Sequence, residues 1–283
     1  VYFSAWPMMK TDVESGKAEW SKEIVTALYD NIADEVNIDF PVFMERAFHC
    51  PRTNGEIIRG GREIVATKGL YITKKRYAVL IYDQEGFRLD TEGKPGKVKA
   101  MGLDLKRSDT PKVMQDFLGD LLKDVLTGQQ REDTIEKIKE FKNTFHERPG
   151  WEKGTPKRVN NLTKYTAEEK RLGKANMPGH VRAAMNWNNL RKMNGDKYSQ
   201  EIMDGQKTIV CKLKSNPLGF TSIGYPTDET HLPQWFKDLP FDDSLMEETI
   251  VDQKIDNLLS VLNWDLKGAT QTANTFDDLF SFE

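Results

Sequence analysis

Apolar positions recur every four residues near the start of the chain, at Trp20, Ile24, Leu28, Ile32 and Val36, with Glu and Lys between them. That period predicts one amphipathic helix, which Pro41 helps to stop. The pattern then shortens. Ile57-Ile58 precede Arg59-Gly60-Gly61, Arg62 to Thr67 follows, and after Lys68-Gly69 a run extends from Leu70 to Asp83, ending in the turn Glu85-Gly86. β-Branched and aromatic runs punctuated by Gly predict an antiparallel sheet. Residues 1–95 therefore read as a sheet backed by one long helix, an α+β layer.

The stretch TEGKPGKVK (91–99) reads as a loop, and the period then returns to that of helices. Asp109-Thr110-Pro111 predicts a helix start, a capping side chain before a proline at the first helical position. Val113, Met114, Phe117, Leu118, Leu121, Leu122 and Val125 form its apolar seam, and Gly128 ends it. Further helices are expected at about 132–145, near 179–193 and near 242–262. One strand is expected at Lys207–Lys214, and polar loops such as 146–164 lie between. The second half thus reads as mainly helical. Residues 269–274 are polar and expected to be mobile. They lead into TFDDLFSFE, where Phe276, Leu279, Phe280 and Phe282 crowd a polar terminus. Those side chains either pack back on their own domain or insert into a groove on a partner.

Composition narrows the classes. The chain has 283 residues, 38% hydrophobic and 30% charged, enough for one large domain or two ordinary ones. No run approaches the length of a membrane span. Cys50 and Cys211 lack zinc-ligand spacing and fit reduced thiols of a cytoplasmic protein. The net charge is only −3, but its distribution is uneven. Residues 227–283 hold 3 Lys and Arg against 13 Asp and Glu, which leaves 38 against 31, a net +7, in residues 1–226. A basic body with an acidic end can turn one face to phosphate.

Three stretches concentrate that charge. Lys74-Lys75-Arg76 stands at the mouth of an apolar strand beside Tyr77. It is either a solvated strand end, with Lys74 and Arg76 on one face and Lys75 on the other, or a grip on an anion. Lys106, Arg107, Ser108, Thr110 and Lys112 surround the helix start at Thr110, where free N–H groups and the helix dipole favour an anion. Asn161, Lys164 and Tyr165 lie in a basic loop. Glu63 and Glu85, at a strand start and a strand end, are either auxiliary metal-binding carboxylates or structural ion pairs. No phosphate-binding glycine loop, zinc-protease or nucleophile-elbow motif occurs.

The order GREIVATKGL, TKKRYAVLIYDQEG, KVKAMGLDLKRSDTPK, NNLTKY and a Phe-rich end resembles the C-terminal third of the family B DNA polymerases of T-even-like phages, most closely from Gly61 to Gln115. The resemblance implies an antiparallel palm sheet with its backing helix in 1–105, a mainly helical thumb in 106–268 and a tail, 269–283, ending in a peptide for the sliding clamp. It implies that Lys74, Lys75, Arg76, Tyr77, Lys106, Arg107, Ser108, Thr110, Lys112, Asn161, Lys164 and Tyr165 meet primer–template DNA. Phe276, Leu279, Phe280 and Phe282 would be the clamp anchors.

Val1-Tyr2-Phe3-Ser4 is similar to the segment directly after the family's Asp-Thr-Asp-Ser motif. The catalytic aspartates, and with them most of the Mg²⁺ site, would then belong to an N-terminal polymerase chain or segment, and this chain alone would be inactive. Glu63 and Glu85 align near, not in, the family's main metal pair. Gly61 stands where the family often has an acid, which weakens any extra metal site. The location implied is the host cytoplasm. A non-catalytic duplex-binding protein with a docking tail is the alternative.

Overall fold

The computed structural model describes residues 2–173, 176–262 and 264. The clamp anchors Phe276, Leu279, Phe280 and Phe282, and the tail 269–283 that carries them, lie outside the described residues. The fold is α+β with antiparallel sheets. The chain forms two compact units, Val1–Gly69 with Val79–Lys99, and Leu70–Ala78 with Ala100 onward.

In the first unit, α1 (Trp6–Glu14) precedes α2 (Lys22–Phe48) and the short α3 (Arg52–Gly55). The Ser21 side chain accepts from the Ile24 N–H at the start of α2, and His49 ends it in the left-handed conformation. Pro41 does not stop α2; it lies inside it. A proline removes one N–H from the ladder and crowds the preceding turn. Here the surroundings hold the helix on both sides of that position. Asn37 exchanges hydrogen bonds with Gly60 through Nδ2 (2.9 Å) and Oδ1 (2.7 Å). Gly55 packs so closely that a Cβ there would stand 2.6 Å from the Pro41 Cα.

The small core of this unit joins Val25 of α2 to Val65 and Tyr82, with Trp20 and Tyr29 packed around them. Tyr82 Oη lies 3.2 Å from both Thr26 Oγ1 and the Lys22 carbonyl. The four-residue stripe does not mark the buried face. Val25 is the buried residue of α2, whereas Ile24 and Val36 are exposed. α2 carries apolar side chains on more than one face, so the spacing alone does not select the inward one.

The first sheet consists of β1 (Ile64–Thr73), β2 (Arg76–Gln84), β3 (Phe87–Arg88) and β4 (Lys97–Met101). β2 pairs with each of the others. Boundaries between the units fall within β1, β2 and β4. Lys68-Gly69 is not a break, because β1 runs through it. The turn is Lys74-Lys75, between β1 and β2, with Lys75 at φ +66°. Two lysines give no turn signal; Gly, Asn or Asp usually fill positions with positive φ.

In the second unit, α4 (Lys112–Thr127) and α5 (Arg131–His146) pack through the expected seam. Met114, Leu118, Leu121, Leu122, Val125, Ile135 and Ile138 are buried, and Phe117 stacks on Phe141 with centroids 3.8 Å apart. The helix does not begin at Thr110. It begins at Lys112 after Pro111, and no side chain caps it.

The second half is less purely helical than its pattern suggests. It contains an antiparallel sheet of β5 (Thr155–Arg158), β6 (Lys207–Lys212) and β7 (Ser222–Pro226), in the register Thr155↔Val210 and Ile209↔Tyr225. β5 is only four residues long and contains Pro156, a residue that demotes a strand signal. Two further helices, α6 (Leu162–Leu172) and α7 (Gly179–Met193), follow β5. α7 lies on the sheet, where Trp187, fully buried, meets Tyr225, Trp235 and Phe236. Each such side chain contributes about 1.5–3 kcal/mol through burial. Beyond it come α8 (Gln234–Lys237), α9 (Asp243–Glu247), a π-helical turn (Glu248–Asp252) and α10 (Gln253–Val261).

Candidate nucleic-acid interface

Two of the three basic stretches meet in the second unit. Gly102, at φ +65°, follows β4 and lies directly beneath the β1–β2 turn. A Cβ at that position would stand 2.4 Å from the Lys75 carbonyl oxygen and 3.0 Å from Arg76 Cγ. Only glycine meets both demands without strain. The turn at Lys74-Lys75 is therefore seated on the segment that leads to Lys106 and Arg107. Ile72 and Arg76 of the hairpin line a pocket of about 30 Å³ with Leu103, Asp104, Leu118 and Lys254. Tyr71 and Tyr77 stack at the hairpin with centroids 5.9 Å apart.

The cations here divide into two groups. Arg107 forks onto Asp109 (Nε to Oδ1, 2.9 Å; second N–H to Oδ2, 3.1 Å), and Lys112 pairs with Asp116 at 2.6 Å. Lys157 of β5 reaches the same Asp109 at 2.9 Å. Arg107 first, and then Lys157, hold the Asp109 carboxyl well below the usual carboxylate range. These charges are partly spent inside the protein. By contrast, Lys74, Lys75, Arg76 and Lys106 are exposed and have no ion-pair partner among the described residues. Such cations are free to neutralise an external polyanion. His180, near the start of α7, belongs to the same field. Burial, and then the Lys157 charge, lower its pKa.

Ser108 is exposed in the turn before α4. Thr110 is 1% exposed, and its hydroxyl has no hydrogen-bond partner among the described residues. It neither caps α4 nor faces solvent, so it leaves the set of groups that can meet a phosphate in this conformation. Gln115 instead donates to the Arg107 and Thr110 carbonyls, at 3.0 and 2.9 Å.

Asn161, Lys164 and Tyr165 are not in a loop; they form the entry to α6, with Asn161 at φ +60°. That helix end already holds an anion, because Asp204 accepts from the Leu162 N–H and from Thr163 (N–H 3.2 Å, Oγ1 2.7 Å). A phosphate here would meet Lys164 rather than the helix N-terminus. β5 ties this element to the ridge, through Lys157 on Asp109. Lys157, His180 and the seat at Gly102 were missed by sequence reasoning. A Gly placed between a strand run and a basic stretch was the one available signal, for Gly102.

Glu63 and Glu85 belong to the first unit. The Glu85 N–H donates to the Glu63 carbonyl at 2.9 Å. The Glu63 carboxylate accepts from Lys99 Nζ at 2.7 Å, which lowers its pKa. Among the described residues no group of three or more His, Cys, Asp or Glu is placed to hold a metal ion. These residues do not fit a Mg²⁺ site, and no chemical step is assigned to one. No helix among the described residues is long and apolar enough to cross a membrane.

Among the described residues of the second unit, Lys74, Lys75, Arg76 and Lys106 are thus exposed cations on a mixed sheet-and-helix scaffold. Comparison with known proteins gives it relatives. The chain is 29% identical over 168 residues to the DNA-directed DNA polymerase of Enterobacteria phage T4, and 28% identical over 171 residues to that of Escherichia phage RB69. The matches cover 59% and 60% of this chain but only 17% and 18% of those polymerases. No protein-family profile matches the chain. Over the aligned segment the chain is thus similar to the DNA-directed DNA polymerases of these two phages, and it spans less than a fifth of their length.

Proposed function

We propose that this chain is the C-terminal part of a replicative DNA-directed DNA polymerase, and that it grips primer–template duplex through backbone phosphates. The seating of the Lys74-Lys75 turn on Gly102 carries this reading. It brings the Lys74-Lys75-Arg76 stretch against the segment that leads to Lys106, in a chain similar to phage polymerases, which supports a shared electropositive edge. The ridge neutralises phosphate without reading sequence. Lys164 and Tyr165 extend it along the duplex, and Arg107 and Lys157 hold its shape through Asp109.

Residues 1–105 serve as the end of the palm and 106–268 as the thumb. The nucleotidyl-transfer chemistry belongs to an N-terminal polypeptide, and the chain alone does not extend primers. Phe276, Leu279, Phe280 and Phe282 tether the complex to a sliding clamp, which raises effective concentration rather than duplex contact.

The test is complementation. Mixing this chain with the N-terminal polypeptide restores primer extension, and a Lys74→Ala, Lys75→Ala, Lys106→Ala variant loses it at moderate salt. No gain on mixing would refute the polymerase assignment. Salt-sensitive duplex binding persisting without any gain would leave an accessory DNA-binding role.

A further inference from the structure

Asp109 gathers more positive charge than its turn requires. The Arg107 guanidinium forks onto both carboxylate oxygens, and Lys157 Nζ, arriving from β5, donates to Oδ2 at 2.9 Å. The backbone of the turn does not depend on that carboxylate. The Thr110 N–H donates to the Arg107 carbonyl at 3.2 Å, and the Gln115 side chain donates to the Arg107 and Thr110 carbonyls. The ion pairs also stay open to solvent: the side chains of Arg107, Lys157 and Asp109 are 58%, 37% and 27% exposed. Ion pairs so placed contribute little to stability, and an external anion can reach their cations.

The donors on Asp109 are those a phosphate would use. A guanidinium fork matches the paired oxygens of a carboxylate and of a phosphate alike, and an ammonium supplies a point charge to either. The other acid beside Arg107 is a looser partner: Asp104 lies 3.8 Å from it and 3.5 Å from Lys254. Lys106, which directly precedes Arg107, is exposed. Thr110, next after Asp109, keeps a buried hydroxyl with no hydrogen-bond partner among the described residues. This arrangement of the turn therefore leaves a polar group unsatisfied.

We propose that Arg107 and Lys157 form a phosphate subsite that the Asp109 carboxylate occupies in the free chain, and that a duplex phosphate takes the carboxylate's place on binding. The proposal rests on the phosphate-backbone reading of the basic edge. Asp109 is then an affinity-setting residue. A free phosphate must compete with a tethered carboxylate for the two cations. A duplex already held at Lys74, Lys75 and Lys106 presents its next phosphate at high effective concentration and wins that competition.

The experiment is a mutant cycle on the full chain, read by fluorescence anisotropy on a labelled blunt DNA duplex, with inorganic polyphosphate as a second probe. It compares wild type, Asp109→Asn, the pair Arg107→Ala with Lys157→Ala, and all three substitutions together, each shown to melt cooperatively above the assay temperature. Asp109→Asn should bind duplex about five- to twentyfold more tightly and steepen the dependence of log affinity on log salt by about one to two units, as two cations become available. Asp109→Glu, which keeps the charge, should show no such gain. The alanine pair should cost at least about tenfold in the Asp109→Asn chain and far less in wild type, a non-additivity that marks direct contact.

An equal gain from Asp109→Asn with and without Arg107 and Lys157 overturns the proposal, because the carboxylate would then act by distant repulsion alone. Weaker binding by Asp109→Asn overturns it as well, since the carboxylate would be orienting the cations for the phosphate. Salt-sensitive duplex binding through Lys74 and Lys75 with no coupling at Asp109 refutes the subsite and leaves the duplex reading standing. Coupling seen with polyphosphate, with no duplex bound by any chain, sustains the subsite and refutes the duplex reading. Binding of neither probe refutes both.

Discussion

Replacing Gly102 with Ala tests the seat of the basic turn directly. Two costs add. The left-handed conformation at φ +65° costs a residue with a Cβ about 1–2 kcal/mol. The new methyl would also lie 2.4 Å from the Lys75 carbonyl oxygen, so the turn must lift by roughly an ångström to reach ordinary contact, an overpacking cost of about 1–3 kcal/mol. The sum is roughly 2–5 kcal/mol. At about 2–4 °C per kcal/mol for a unit of this size, the melting transition should fall by roughly 4–20 °C.

Gly195 supplies the control. It has nearly the same φ, +62°, but a methyl group added there would meet nothing within 4 Å, so Gly195→Ala carries the backbone cost alone. Calorimetric melting of both variants, with duplex affinity measured at fixed salt, separates the two contributions. Gly102→Ala should lose more stability and also bind duplex more weakly, because Lys74, Lys75 and Arg76 ride on the displaced turn. Equal stability losses in the two variants would show that the turn is not seated on Gly102, and the case for a shared electropositive edge would fall with it.

The same geometry sets three other outcomes. Lys74→Ala and Lys75→Ala should each flatten the dependence of log affinity on log salt by about one unit, read by fluorescence anisotropy on duplex; unchanged slopes would exclude phosphate contact. Lys153 is buried, its ammonium bonded to Glu247 (2.7 Å) and to the His146 carbonyl (2.8 Å). Lys153→Met should therefore cost about 3 kcal/mol in urea unfolding, the lower end for a buried pair since Glu247 is partly solvated. A loss under about 1 kcal/mol would contradict that pairing. Asp109 is held below its unfolded pKa by Arg107 and then Lys157. Its contribution is complete above about pH 4 and is lost as pH falls through the acid range. Asp109→Asn should flatten the acid limb of the stability profile between about pH 4 and 2, and an unaltered limb would count against the ion pairs.

Several features were legible in the sequence because local rules decide them. The seam of α4, the positions of α5 and α7 and the stop at Gly128 follow from a helical period and a left-handed glycine. The Lys-Arg stretches were equally visible as anion-binding candidates. Local rules could not settle direction and pairing. Pro41 sits within a helix because Gly55 and Asn37 brace that turn from outside. Lys74-Lys75 forms a turn because Gly102 supports it from another strand. β5 is a strand only because β6, about fifty residues later, offers a partner.

Periodicity and charge along the chain were enough to establish an α+β protein with basic stretches next to an apolar sheet and a helical seam, since both are properties of neighbouring residues. Contacts across the fold were needed to sort the cations spent in ion pairs from those that face outward, to hide Thr110, and to turn Val25 of α2 inward while Ile38 and Phe43 remain in solvent. Those outcomes depend on residues far apart in the chain, where burial and the distance between charges set the free energy and sequence proximity carries no weight.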